Sequence, residues 1–356
     1  MQYAGGTNPL KGYRGFSWLM FSLFVTCYLF LGGTGAGALA VLGALECANV
    51  QQRFGGVLGN VRSFGSGTGW MQNGEIRADT ASLVRARRRV RRAFTVPDEF
   101  FARAWPLSFV VLALGILCLF ADLGRPDRVV NLLLSPEPSA IAVGSYALAC
   151  SLACSGAFAL LSILETSRIP QAAIVVLAVL SIASGIVTMA YTGILLQSMA
   201  SILFWQTALL PIAFVLSSLS CGIALLFLGT AFVEARYPFI RPIVWLCRAD
   251  SVLIVLEGVI IVAYLAWGLS GEGTRAAAEA LATGSLGWLF WLGLIVCGLA
   301  VPFALERFVT HGNYRTQLAW IALVLLVGGF ALRFCVVGTA EFDITQMPDA
   351  LFGLTV

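Results

Sequence analysis

Eight stretches of this chain are apolar for long enough to cross a lipid bilayer, and no other property limits its fold so sharply. A helix rises about 1.5 Å per residue and the hydrocarbon layer is about 30 Å thick, so roughly 20 apolar residues span it. The stretches run over 17–45, 104–120, 140–164, 172–196, 202–228, 251–269, 286–305 and 317–337. Barrel strands would instead alternate over about 10 residues. In lipid the backbone must satisfy its own hydrogen bonds, which leaves helices. Charge agrees: 11% of residues are Asp, Glu, Lys or Arg against 59% hydrophobic, too little to cover a soluble domain, where roughly 25% is usual. The expected fold is an all-α, polytopic integral membrane helical bundle of about eight transmembrane helices, forming a single membrane domain over 1–356.

The first stretch follows Lys11 and Arg14 and contains Ala36-Gly37-Ala38-Leu39-Ala40, like a secretory leader with a small-residue cleavage site. It is longer than the 7–15 residues of a leader's apolar region, so a retained helix is expected. A tight turn over Gln197 to Ser201 has to join the fourth and fifth stretches.

With an even number of spans both termini share one side. That side carries 6 Lys and Arg and the opposite side 16, mostly within the loop 46–103, where Arg85, Arg87, Arg88, Arg89, Arg91 and Arg92 cluster. Positive loops stay in the cytoplasm, so this Arg-rich loop is expected there and both termini outside, in a multi-pass protein. The loop reads as a topology anchor on anionic headgroups or as a docking site for a cytoplasmic partner. Without a recognition module it gives no reason to expect nucleic acid.

The nine cysteines form no CxxC pair and fall mostly inside apolar stretches, where they read as small packing residues. The single histidine, His311, lies in a short loop and cannot supply the paired axial ligands of a membrane haem. Neither haem nor an iron–sulfur cluster is expected in this chain, nor a metal site. Gly33 and Gly37, four apart, offer a smooth face for close helix contact or a flat wall beside a bound ring.

Two polar groups stand out. At one membrane edge lie Asp122 and Arg125, close enough for an ion pair across one turn, with Pro126 ending the helix. The assumed topology turns Tyr146, Tyr191 and Gln197 toward this corner. It either fixes the helix end or forms a polar mouth that takes a ligand headgroup from the lipid; a phenol there serves a quinone oxygen or an ordinary aromatic belt. Toward the other edge lie Glu46, Glu165, Asp250 and Glu257. Glu257 sits about two turns inside its apolar stretch, where a charge is expensive unless paired or protonated. Asp250, seven residues earlier, shares its face. The acids suit a proton path from the cytoplasm or a packing hydrogen bond.

Together these segments carry a resemblance. Tyr28-Leu29-Phe30-Leu31-Gly32-Gly33, Trp105-Pro106-Leu107, Asp122-Leu123-Gly124-Arg125-Pro126, Gly144-Ser145-Tyr146, Tyr191-Thr192-Gly193-Ile194-Leu195-Leu196, and Trp205 through Pro211 to Ser217-Ser218 occur in order over nearly the whole chain. In this they are similar to the polysulfide-reductase membrane-subunit family, also called NrfD-like. The resemblance implies a haem-free, quinone-reactive anchor in a bacterial or archaeal cytoplasmic (inner) membrane, which is not a complete enzyme alone. It implies an extracytoplasmic iron–sulfur (ferredoxin-like) subunit as partner, joined to a molybdopterin catalytic subunit or a multihaem cytochrome. It also implies that Asp122, Arg125 and Tyr146 lie at an outer quinone or menaquinone site, with Asp122 or Tyr146 exchanging the proton. Some members add a histidine near the first helix; this sequence has none there, so either Thr34, Asn8 or Tyr13 replaces it or the pocket uses a different donor. A secondary transporter and a purely structural membrane anchor are the alternatives.

Overall fold

The computed structural model describes residues 10–65, 96–123, 140–164, 170–199, 202–231, 240–308 and 314–340. Every regular element among them is helical: α1 (Leu10–Gly65), α2 (Asp98–Leu123), α3 (Ala140–Ile163), α4 (Gln171–Gln197), a 3₁₀ turn (Leu203–Trp205), α5 (Leu209–Ala231), α6 (Ile240–Ser270), α7 (Arg275–Ala282), a π-helical stretch (Leu289–Ala300) running into α8 (Val301–Arg307), and α9 (Tyr314–Gly338). Eight helical segments are long and apolar enough to cross a membrane, from Leu23–Val50 to Arg315–Gly338. The protein is an all-α, multi-pass membrane bundle.

Helix bounds and apolar bounds differ where polar residues favour helix. The loop expected from residue 46 is helical as far as Gly65, because Gln51, Gln52 and Arg53 end the apolar run without breaking a helix. The cluster Arg85 to Arg92 and His311 lie outside the described residues. Likewise α6 begins at Ile240, not at 251, and carries Arg248 and Asp250 within it. The turn between the fourth and fifth spans is longer than Gln197 to Ser201: Ile202, Phe204 and Trp205 are apolar and buried, yet α5 starts only at Leu209. They are pinned there because the Trp205 indole N–H donates to the Val336 carbonyl (3.0 Å) and the Phe204 carbonyl accepts from the Tyr264 hydroxyl (2.9 Å).

α1 runs through the middle of the bundle, and its small residues decide how close its neighbours come. A Cβ on Gly37 would overlap the Ser218 carbonyl of α5; one on Gly35 would lie 2.9 Å from the Leu112 nitrogen of α2. From α4, Gly185 meets the Ala36 carbonyl in the same way. The glycine face is thus a helix-contact face, as small residues in membrane helices usually are.

Large apolar side chains fill two layers around this contact. One gathers Leu39, Leu42, Trp105, Phe227, Leu246 and Leu318; the other Tyr28, Leu29, Phe204, Phe214, Tyr264 and Leu332. α1, α5, α6 and α9 contribute to both layers. Between them each of these helices contributes polar or small residues, and that seam holds the chemistry.

Candidate functional site

The seam is organised by Arg333. Its side chain is fully buried in α9, roughly 7–8 Å of helix short of Gly338. Its guanidinium donates to four oxygens: the Leu29 carbonyl of α1 (3.1 Å), the Ser217 hydroxyl (3.1 Å) and Ser218 hydroxyl (2.7 Å) of α5, and the Gly329 carbonyl one turn back (2.8 Å). The planar fork suits this fan of acceptors. Phe214 lies over the cation at 5.3 Å from its ring centre. Space for the guanidinium exists because Gly33 has no side chain: a Cβ there would stand 3.1 Å from the Arg333 Nη2.

Glu257 of α6, 4% exposed, reaches the same Ser217 hydroxyl and lies in the field of Arg333. Arg333 and Glu257 are therefore joined through Ser217 instead of touching. One turn further along α5, Ser220 approaches Asp250, whose side chain is fully buried. The other group against Asp250 is Glu306 of α8, itself 7% exposed, which accepts a 2.5 Å hydrogen bond from the Ser251 hydroxyl. Neither neighbour meets Asp250 at full hydrogen-bonding geometry. The order of groups across the bundle is thus Arg333, Ser217, Glu257, then Ser220, Asp250, Glu306 and Ser251. Glu165 lies outside the described residues, and Glu46 sits partly buried on α1 at the same end as Glu306.

The opposite end holds the other expected residues. Asp122 stands at the end of α2; its Oδ1 is buried and, among the described residues, accepts no hydrogen bond. One turn below, Cys118 neighbours Cys27 of α1, and because the two helices run in opposite directions Tyr28 lies about one turn deeper in the bundle than Asp122. Tyr28, 2% exposed, lies next to Tyr191 of α4. The Tyr191 ring packs flat on α3 at Gly144, where a Cβ would overlap it. Tyr146 is two residues from Gly144, hence turned roughly 200° around α3, and is half exposed. The structure therefore brings Tyr191 to Tyr28 and directs Tyr146 to another face. Gln197, partly buried, ends α4. Thr34 is elsewhere: it lies in the seam, 1% exposed, its hydroxyl without a hydrogen bond and its polar neighbour Cys221. Arg125 and Asn8 lie outside the described residues. Among the described residues no three of His, Cys, Asp and Glu gather as metal ligands.

Residues 80–344 match the family described as "Polysulphide reductase, NrfD". The protein belongs to the NrfD family of polysulfide-reductase membrane subunits. The C subunit of Wolinella succinogenes polysulfide reductase is 35% identical over 156 residues, 41% of this sequence and 47% of that protein. Protein NrfD of Escherichia coli K12 is 30% identical over 158 residues, and the NrfD homolog of Haemophilus influenzae 26% over 158; each alignment takes 44% of this sequence and 49% of the relative. The chain spans about half the length of the curated relatives it matches. The family match takes in α2 to α9, and with them Asp122, Tyr191, Asp250, Glu257, Glu306 and Arg333, whereas Tyr28 and Thr34 precede it.

Sequence reasoning passed over three residues of this NrfD-family protein. Arg333 counts in the sequence as one positive charge near a helix end, although Gly328-Gly329-Phe330-Ala331-Leu332 before it and Phe334-Cys335-Val336-Val337 after it mark an arginine inside an apolar run. Glu306, between Leu305 and Arg307, reads as interfacial. Tyr28 opens the motif that runs to Gly33, yet nothing in the sequence pairs it with Tyr191.

Proposed function

We propose that this protein is the quinone-reactive membrane subunit of a respiratory oxidoreductase complex in a bacterial or archaeal cytoplasmic membrane. Its Asp122 end and both termini face outward, since the positive side chains gather at the other end. Quinol or menaquinol binds near that outer face, and electrons pass to an extracytoplasmic, ferredoxin-like iron–sulfur subunit. That subunit connects to a molybdopterin enzyme or multihaem cytochrome. NrfD-family membership supports this assembly, and the protein is one component of it, not the whole enzyme.

The observation that carries the site is the buried, unsatisfied Oδ1 of Asp122. An orphaned acceptor at a membrane edge is costly unless a donor arrives, and a quinol hydroxyl is such a donor. When bound, a quinol supplies two electrons and two protons. Asp122 Oδ1 accepts a hydroxyl proton, and Arg125, three residues further along the sequence, orients the carboxylate in this reading. Tyr191, held by Gly144 and backed by Tyr28, presents its phenol to the second ring oxygen. Gln197 lines the entrance, and Tyr146, half exposed on the face of α3 turned away from Tyr191, is the second candidate for the proton from outside the Tyr28–Tyr191 contact. Thr34 lies deeper and contributes through the seam.

Protons move, in this reading, along the seam. The Asp250–Glu306 pair and Glu257 with Ser217 carry the protons, Glu165 is a further candidate on the sequence, and Arg333, which stays charged, balances the Glu257 carboxylate without itself passing a proton. The test is quinol turnover by the intact, solubilised complex carrying Asp122→Asn, with assembly verified and the catalytic subunit assayed with an artificial electron donor. Loss of a positioned proton acceptor lowers quinol turnover by about 100-fold or more and leaves the artificial-donor activity intact. Normal quinol turnover removes Asp122 from the site.

A further inference from the structure

A cleft of about 660 Å³ opens between α6 and α8, at the opposite end of the bundle from Asp122. Its inner walls are mainly apolar, with Val252, Val255, Leu256 and Phe303 running inward from the edge, and Ser251 and Glu306 add a polar strip. Val252, Val255 and Leu256 are 59%, 51% and 46% exposed, so the cleft opens sideways to lipid. At its mouth stand two cations, Arg248 in the first turns of α6 and Arg307 at the end of α8. Because these helices run in opposite directions, both guanidiniums come to the same level. Arg307 rests over the Phe303 ring at 4.7 Å, and neither arginine forms a salt bridge with a carboxylate among the described residues. Glu306 shares the wall: its Oε2 accepts from Ser251, its Oε1 has no hydrogen-bond partner among the described residues, and its carboxyl lies in the field of Arg307.

We propose that this cleft is a specific site for one anionic phospholipid, its phosphate between Arg248 and Arg307 and an acyl chain along the valines. Charge complementarity selects the occupant: Glu306 offsets part of the positive charge beside Arg307, and the excess that remains favours a net anionic headgroup over a neutral quinone head or a zwitterionic lipid, while free phosphate leaves the apolar channel unfilled. The channel reaches seven to eight residues inward of Arg248, roughly 11 Å of helix, which is room for most of the upper half of an acyl chain. Basic pockets between spanning helices are a recurrent way of holding anionic headgroups. The site is separate from the proposed quinone region and does not depend on it.

The experiment is native mass spectrometry of the delipidated full-length protein in detergent, titrated with dioleoyl phosphatidylglycerol or dioleoyl phosphatidylcholine. The wild type retains one phosphatidylglycerol with about 30-fold preference over phosphatidylcholine, whose choline cation cancels the charge of the same phosphate, since each of the two arginines favours a net negative headgroup by about 1 kcal/mol. Replacing both cations (Arg248→Gln with Arg307→Gln) abolishes the preference. Arg315→Gln, at the same end but outside the cleft, leaves it unchanged. Val255→Trp fills the channel with both cations kept and also loses the retained lipid. A wild type without preference, a preference that survives the double substitution, or retention unaffected by Val255→Trp each overturns the proposal.

Discussion

Replacing Arg333 by methionine removes the centre of the polar seam, and the structure sets the size of the effect. Four hydrogen bonds go, two to serines and two to backbone carbonyls. Interhelical side-chain bonds in membranes average about 0.6 kcal/mol each, so the three to α1 and α5 account for about 2 kcal/mol, the bond to Gly329 lying within α9. The rest comes from Glu257, which loses the cation it faces through Ser217. An uncompensated buried charge is expensive, and with the carboxyl free to take a proton we assign about 1–2 kcal/mol. Arg333→Met therefore destabilises by about 3–4 kcal/mol. Arg333→Lys keeps the charge but not the fork, and loses about half of that. Combining Arg333→Met with Glu257→Gln recovers at least about 1 kcal/mol relative to the sum of the single changes. The assay is unfolding of the purified protein in mixed micelles under increasing sodium dodecyl sulfate, followed by the fluorescence of its nine tryptophans. Strict additivity of the two substitutions, within about 0.5 kcal/mol, would refute the coupling of Arg333 to Glu257.

The same geometry sets four further outcomes. Gly37→Leu drives a side chain into the Ser218 backbone and prevents assembly, seen as loss of folded protein by size-exclusion chromatography, whereas Gly229→Ala meets only Leu107 at 3.7 Å and is tolerated. Trp205→Phe removes the indole bonds to Val336 and Thr339 and costs about 1 kcal/mol in the same unfolding assay. Gly144→Ala displaces the Tyr191 ring without unfolding the protein, and quinol turnover by the complex falls to the level of Tyr191→Phe. Asp250→Asn slows proton uptake by reconstituted complex in a pH-dye assay while the partner's artificial-donor activity is unchanged; equal uptake in variant and wild type would exclude the pair from the route.

The helix count was legible in the sequence because lipid imposes it: apolar length against bilayer thickness leaves little choice. Gly33 and Gly37 were legible as a contact face for a similar reason, since close helix approach needs small residues at that spacing. Which side of each helix faces its neighbours was not legible. In water a helix is apolar on its buried side, but in a bilayer both sides are apolar, so Val252 facing lipid and Ile254 facing the core look alike. Side-chain pairings across helices escaped for that reason. Glu257 stood out because a carboxyl inside an apolar run has few explanations, yet its partner through Ser217 lies 76 residues away on α9. Tyr146 and Tyr191 looked equivalent as edge phenols, and only the packing of Tyr191 on Gly144 separates them. The early start of α6 was missed because Arg248 and Asp250 interrupt the apolar run, although neither residue interrupts a helix.

The most direct test of quinone binding at the outer face is photolabelling of the intact complex with an azido-quinone, followed by peptide mapping and competition with unlabelled quinone. Competed label is expected on the outer end of α2 around Asp122 and on α4 around Tyr191, reduced by Asp122→Asn. Label confined to the α6–α8 cleft or to another subunit, with none at those two helix ends, would contradict an outer quinone site in this protein.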